Sequence, residues 1–309
     1  MNRSANVPIR VPRRRLDGVL LLDKDVGISS NHALQAARRL YRAEKAGHTG
    51  TLDPLASGLL PLCFGEATKF AGELLDADKQ YLATVQLGIT TDTADAEGRI
   101  LETRPVDVSS EDIRGVLAEF VGEIEQVPPM YSALKRDGKP LYEYARAGIE
   151  IERKARRVVI HALYRSDPPD AVVGNVFVFE VRCSKGTYVR TLAADIGERL
   201  GCGAHLTALR RTAIGGLTLD QAHTLREIEA KDPDTRDELL LPPDFLLAGI
   251  GDVRLDSVAS SQLRHGQPIA WPGSVGLRVR AYGPDSRFIG VCQCSSDGQL
   301  RPLRLVAES

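Results

Sequence analysis

From Ala46 to Gly65 the chain reads AGHTGTLDPLASGLLPLCFG, and Asp53 is the one residue in that stretch with a full formal charge. An acid set among Gly, Leu and Ala must be capped, paired or used, because an unpaired buried carboxylate is too costly to keep. The chemistry open to it is that of a nucleophile, provided it stays ionised and still. Asp before Pro also begins many helices, with Asp at the N-cap and Pro at the first helical position. That pattern predicts a short helix over Pro54 to Leu60. The two readings are compatible, since a helix start holds a carboxylate rigidly and its dipole keeps it charged. Gly47, Gly50 and Gly58 leave room for a large partner to approach the backbone. His48, taken alone, reads as packing or a hydrogen bond.

Metal chemistry finds little support. The five cysteines (Cys63, Cys183, Cys202, Cys292, Cys294) form no CxxC pair, and the six histidines show no HxH or HExxH spacing. They are read as reduced thiols and scattered imidazoles, with no metal site expected. Cys292 and Cys294 would share one face of a strand, but nothing nearby completes a ligand set.

The elements that must position Asp53 follow from periodicity. GVLLLDK (Gly18 to Lys24) reads as a buried strand, and Ser29, Ser30 or Asn31 can cap a helix running to about Tyr41. After the glycine-rich loop, Pro61 to Phe64 reads as extended and Gly65 to Leu75 as a helix. Lys79 to Gly88 alternates as a strand, Thr91 to Gly98 is a polar turn, and Ser109 to Asp112 opens a helix with a capping box. Residues 124–157 combine a double proline, three tyrosines and eight basic residues. They read as an inserted surface arm, because aromatics among cations suit base stacking and phosphate contact. VVIHALYRSD and NVFVFEVRCSKG are strands, the latter leading into a helix with the stripe Leu192, Ile196 and Leu200 that ends at Gly201. GCGAHLTALRRTAIGGL is read as a turn, a short helix and an Arg pair. Proline and acid cluster around 232–251, where the domains are cut, and 252–309 reads as short strands between Gly and Pro turns.

A formal net charge of −1 hides a segregation of sign. Residues 1–45 hold ten Lys or Arg against four acids, residues 135–157 hold eight against four, and residues 220–256 hold ten acids against four bases. Two separated basic clusters on a near-neutral chain favour a polyanionic partner such as nucleic acid. At 309 residues and 43% hydrophobic content the chain can bury one large domain and a small one. No apolar run reaches the roughly 18 residues of a membrane span and the N-terminus lacks a signal-peptide centre, so a cytoplasmic enzyme is expected.

In this order the segments GVLLLDK, AGHTGTLDPLASGLLPLCFGEATKF, DKQYLATVQLGITTDTADAEG, PMYSALKRDGKPLYEYARAGIE, CSKGTYVRTLAADIGERLGCGAHLTALRR and FIGVCQCSSDGQLRPLRLV resemble the TruB family, the bacterial tRNA pseudouridine-55 synthases, over almost the whole chain. The resemblance implies isomerisation of uridine to pseudouridine in the T arm of tRNA, by a base-flipping enzyme that needs no cofactor, metal, guide RNA or obligate protein partner and works as a monomer. It implies an α+β fold, a mixed, largely antiparallel sheet flanked by helices. The expected organisation is a basic, disordered leader over 1–15, a catalytic domain over 16–248 with its RNA-binding arm at about 124–157, and a C-terminal β-rich PUA-like domain over 249–309.

It also implies roles. Asp53 matches the catalytic aspartate, attacking C6 or C1′ or abstracting a proton, and Arg190 the arginine paired with it. Tyr81 matches the catalytic tyrosine that stacks on the uracil and assists loss of the C5 proton. His48 matches the ring that fills the space of the flipped nucleotide, and Tyr188 and Leu209 match further uridine-contacting positions. Lys24 neutralises phosphate or supports the site, and Asp95 holds a polar network or an Asx turn. The chain departs from the family where DKDVGISS places Asp25 at a usual proline and where His32 replaces an acid, which affects the first loop's RNA contacts and leaves the nucleophile untouched. An RNA-binding folding factor that opens and re-forms the tRNA elbow without catalysis would need the same surfaces but not Asp53.

Overall fold

A computed structural model of the protein describes residues 12–167 and 175–307. In chain order come β1 (Gly18–Lys24), α1 (Ser30–Leu40), β2 (Ala46–His48), β3 (Ala56–Phe64), a 3-10 turn over Gly65–Phe70, α2 (Gly72–Leu75), β4 (Lys79–Leu87) and the hairpin of β5 (Ile89–Thr91) with β6 (Ile100–Thr103). Next are α3 (Ser110–Glu119), β7 (Gly122–Gln126), the hairpin of β8 (Lys135–Arg136) with β9 (Lys139–Pro140), α4 (Leu141–Arg146), β10 (Arg156–Arg165), β11 (Val176–Cys183), α5 (Val189–Arg199), β12 (Ala204–Ile214), β13 (Leu217–Thr218) and α6 (Leu225–Ala230). The last segment holds β14 (Asp252–Arg254), α7 (Ser257–Arg264), β15 (Ile269–Ala270), β16 (Arg278–Tyr282), β17 (Phe288–Cys294) and β18 (Gln299–Leu305).

The main sheet runs β1-β3-β12-β4-β11-β10-β7, with β2 beside β3 and β13 beside β12. Only β3 and β12 pair in parallel, so the expected mixed, largely antiparallel sheet is what forms. α5 lies over β12 and β4, α3 over β10 and against α5, and together they bury Ile113, Leu117, Leu192 and Ile196. Local chemistry starts these helices: the Ser109 hydroxyl accepts from the Asp112 N–H while the Asp112 carboxylate accepts from the Ser109 N–H, and Ser29 caps α1. Gly201, at φ +83, ends the last turn of α5.

Three expectations change. The helix expected over Pro54 to Leu60 is a turn followed by β3. Leu60 and Leu62 of β3 face one core while Leu59 and Cys63 face another, so a strand buried on both sides shows an unbroken apolar run that periodicity cannot separate from a helix. The short helix expected in GCGAHLTALRRTAIGGL is β12, a strand between β3 and β4 whose alternation is interrupted by register shifts at Leu206/Ala208 and Arg211/Ala213. The sheet also claims both ends of the arm, since Gly122–Gln126 pairs with Arg156–Ile160, which leaves the β8–β9 hairpin and α4 standing out from it. Of the basic leader, residues 1–11 lie outside the described residues; Arg14 is anchored, its two terminal nitrogens donating to the Asp237 carboxylate at 2.6 and 2.5 Å.

A five-stranded sheet, β14-β16-β17-β18-β15, makes the C-terminal β-rich unit, with α7 an unforeseen helix capped by Asp256. Cys292 and Cys294 are buried in its core. Phe70 meets Phe288 edge-on at 5.5 Å and Arg278 donates to Glu73, so this unit docks on the segment that follows β3. Among the described residues no helix is long and apolar enough to cross a membrane.

Candidate active site

Asp53 sits in the turn between β2 and β3, three residues before β3 begins. Its carbonyl accepts from the Ala56 N–H, closing a tight turn, so the residue is no helix cap. Its carboxylate is held instead from across the sheet: Arg190 Nε lies 3.0 Å from Asp53 Oδ2. Arg190 is the second residue of α5, and its side chain is 5% exposed while that of Asp53 is 40% exposed. The carboxylate is therefore gripped on one side and open on the other.

The rest of the guanidinium is fully committed. Arg190 Nη1 donates to Asp95 Oδ2 at 3.1 Å and to the Thr93 carbonyl at 3.0 Å, and Nη2 to the Tyr131 carbonyl at 2.6 Å. Asp95, 2% exposed, is itself fixed by the Thr93 hydroxyl at 2.6 Å and the Glu97 N–H at 3.1 Å. An Asp53–Arg190–Asp95 chain results, with the arm joined to it through Tyr131. Burial raises the Asp53 carboxyl above its usual range, Asp95 adds to the rise, and Arg190 and Lys24 oppose it.

Lys24 ends β1, pairs with Gly58 of β3 and has no exposed surface. Its Nζ donates to the carbonyls of Asp25 at 2.9 Å and Ile28 at 2.7 Å. Burial lowers its pKa to about 8, against the pull of Asp25 and Asp53. Of the two roles open to it, this burial favours support of the site over contact with phosphate.

The remaining candidates lie on β2, β4, β12 and the segment before α5. Tyr81 on β4 is half-buried, opposite Arg211 on β12, and burial pushes its phenol upward. Leu209, 8% exposed, lies on β12 between Ala56 and Ala83 on the flanking strands. His48 lies on β2 opposite Leu62; burial, then Arg211, lowers its pKa, which keeps the imidazole neutral. Its Nδ1 is buried without a protein partner. Tyr188 precedes α5; its backbone N–H donates to Gln126 Oε1 at 3.1 Å, and Arg156 covers its ring at 4.7 Å. Sequence reasoning passed over Gln126, which ties β7 to the start of α5, and over Arg211, whose signal was the Arg210–Arg211 pair.

Asp25 and His32 are both exposed, and the Asp25 carbonyl accepts from Lys24 Nζ. On the arm, Lys135, Arg136 and Lys139 are exposed, while Arg153 pairs with Glu150 and Arg157 with Glu123.

Residues 38–189 match the family model described as TruB family pseudouridylate synthase (N terminal domain), residues 190–248 the one described as tRNA pseudouridylate synthase B C-terminal domain, and residues 251–306 the one described as Pseudouridine synthase II TruB, C-terminal. The chain is 58% identical over 306 residues to a protein of Burkholderia mallei (strain ATCC 23344) named tRNA pseudouridine synthase B, covering 96% of each. It is 57% identical over 299 residues to the protein of that name from Thiobacillus denitrificans, covering 96% of this chain and 97% of the relative. Among solved structures it is similar to a chain of a "Cbf5-Nop10-Gar1 Complex", with TM-score 0.69, 26% identity, and 94% of this chain and 84% of that one covered. A chain of an "H/ACA RNP bound to a substrate RNA containing 2'-deoxyuridine" shares the fold at TM-score 0.70 and 24% identity, covering 94% and 85%. The chain belongs to the TruB family of pseudouridine synthases.

Proposed function

We propose that this protein isomerises uridine to pseudouridine at position 55, in the T loop of tRNA, as a single chain in the cytoplasm without guide RNA, cofactor or metal. The observation that carries this reading is the 3.0 Å contact of Arg190 with an Asp53 carboxylate that stays open on its other side. The reaction breaks the N1–C1′ bond, turns the uracil and joins C5 to C1′, with a proton lost from C5 and one gained at N1. A carboxylate that attacks and then leaves can serve it, whether at C6 or at C1′, and proton abstraction needs the same ionised group.

The target base is stacked inside the folded T loop and must be extruded. Tyr81 stacks on the extruded uracil, Tyr188 and Leu209 border it, and His48, as a neutral ring, fills the vacated space. Lys24 supports the carboxylate from behind. The exposed Lys135, Arg136 and Lys139 of the arm hold phosphates, and the C-terminal unit over 249–309 acts as a PUA-like RNA-binding module. The tRNA substrate is supported by the name tRNA pseudouridine synthase B borne by relatives more than 55% identical over almost the full chain.

The test is incubation of the purified chain alone with an unmodified tRNA transcript labelled with tritium at uridine C5. Release of tritium, with pseudouridine mapped to the T loop, is expected. Modification mapped elsewhere, or activity only on addition of another RNA or protein, contradicts the reading.

A further inference from the structure

Arg211 is the largest of the fully buried side chains, at 1% exposure, and among the described residues it makes no ion pair with a carboxylate. Its neighbour Arg210 shows the contrast: alternation along β12 turns Arg210 to the other face, where it grips Asp23 with both terminal nitrogens at 3.0 and 2.6 Å. A guanidinium does not give up its charge in a protein, so an unpaired buried one is retained for what its donors hold.

Those donors hold both flanks of Asp53 at once. Arg211 Nε donates to the Leu59 carbonyl at 2.8 Å, six residues after Asp53, and Nη2 reaches the Gly50 carbonyl at 3.4 Å, three residues before it. Arg211 and Tyr81 are directly opposed across β12 and β4, and the guanidinium opposes the rise that burial imposes on the Tyr81 phenol. Leu209 shares the face of Arg211, opposite Ala83, two residues along β4 from Tyr81.

We propose that Arg211 is a positioning residue for the isomerisation, a single buried cation that fixes the Tyr81 ring relative to the loop carrying Asp53 and so sets the spacing between uracil platform and nucleophile. This rests on the reading that Tyr81 stacks on the target uracil. Arg211 touches neither substrate nor reacting atoms, so its removal slows turnover without weakening capture of the RNA.

The test uses the full chain with Arg211→Lys, Arg211→Met, Tyr81→Phe and Tyr81→Phe combined with Arg211→Met, on a T-arm stem-loop. The expected result is a kcat lowered about 100-fold in Arg211→Met and less in Arg211→Lys, with stem-loop Kd within about threefold of wild type. Because one residue acts through the phenol of the other, the double variant should lose at least about tenfold less than the product of the two single losses. Losses that multiply, or a Kd that weakens in step with kcat, overturn the proposal. A second measurement needs neither activity nor the Met variant. Ultraviolet titration of the phenols, taken as each protein minus its Tyr81→Phe counterpart, should place Tyr81 higher in Arg211→Lys, because the guanidinium that stabilises its ionised form is lost. Tyr81 also faces Cys183 on β11 and Asp53, both of which raise it and neither of which changes in this variant. An unchanged Tyr81 titration contradicts the coupling. An inactive wild type with a shifted titration would instead refute the assigned reaction and leave the coupling standing.

Discussion

On the proposed mechanism Asp53 must be ionised to act, and its surroundings pull in opposite directions. Burial and Asp95 raise its pKa while Arg190 and Lys24 lower it, with the rise dominant. The acid limb of kcat/KM should therefore lie above the ordinary carboxylate value of about 4, and Arg190→Gln should move it further upward; a limb at or below 4 in wild type contradicts this ordering. Asp95→Asn removes the second anion from a guanidinium that is 5% exposed, and loss of one partner from a buried pair costs about 3–5 kcal/mol. Turnover should fall by more than tenfold, with stem-loop binding little changed by filter assay. Lys24 gives a stability signature. Its pKa falls from 10.5 in the unfolded chain to about 8 in the folded one, so below pH 8 both states carry the proton and the burial cost is fully present. Between pH 8 and 10.5 the unfolded state binds more protons, and stability rises with pH. Urea unfolding across that window should show a positive slope in wild type that is smaller in Lys24→Met; equal slopes contradict the assignment.

The elements that hold these residues were unequally legible. Capped, amphipathic segments declared themselves: Ser109 and Asp112 form their capping box, and α5 stops where Gly201 allows a positive φ. β12 did not, because two register shifts interrupt its alternation, and β3 did not, because a strand with both faces covered loses the alternation that marks a strand. The ambiguity in β3 made Asp53 look like a helix cap. The residue is instead held by a long-range ion pair, Arg190 lying 137 positions away, which no local pattern carries. Asp53 stood out from its apolar surroundings alone, its companions came only with the family motifs, and Arg211, though inside one of them, was given no role. Gly58 illustrates the same long-range constraint. At φ +102, an added Cβ would fall 2.3 Å from the Arg211 carbonyl, where β3 and β12 run side by side. Gly58→Ala should cost at least about 2 kcal/mol, read as a clear drop in Tm, since neither backbone can move without opening the parallel pair. A Tm within a degree of wild type would contradict so close an approach.

Across the whole molecule, charge segregation and the arm belong to one arrangement. The hairpin of Lys135–Arg136 with Lys139–Pro140 lies between the edge strand β7 and its neighbour β10, and Arg190 reaches the arm's base at the Tyr131 carbonyl. RNA gripped by the arm would thus bear directly on the guanidinium that holds Asp53. Replacing Lys135, Arg136 and Lys139 together by Gln should weaken tRNA binding and reduce the slope of log K against log salt by up to about three; an unchanged slope makes them solvated charges only. The C-terminal sheet docks on residues 65–75 through Phe70–Phe288 and Glu73–Arg278, directly after the strand that follows Asp53. All of this serves one gripped carboxylate. The most direct test is tritium release from C5-labelled uridine in a T-arm stem-loop by wild type and by Asp53→Asn, with binding of the RNA confirmed for both. The expected outcome is release by wild type and none above background by Asp53→Asn at undiminished binding. Release by the Asn variant at a rate near wild type would contradict the central claim.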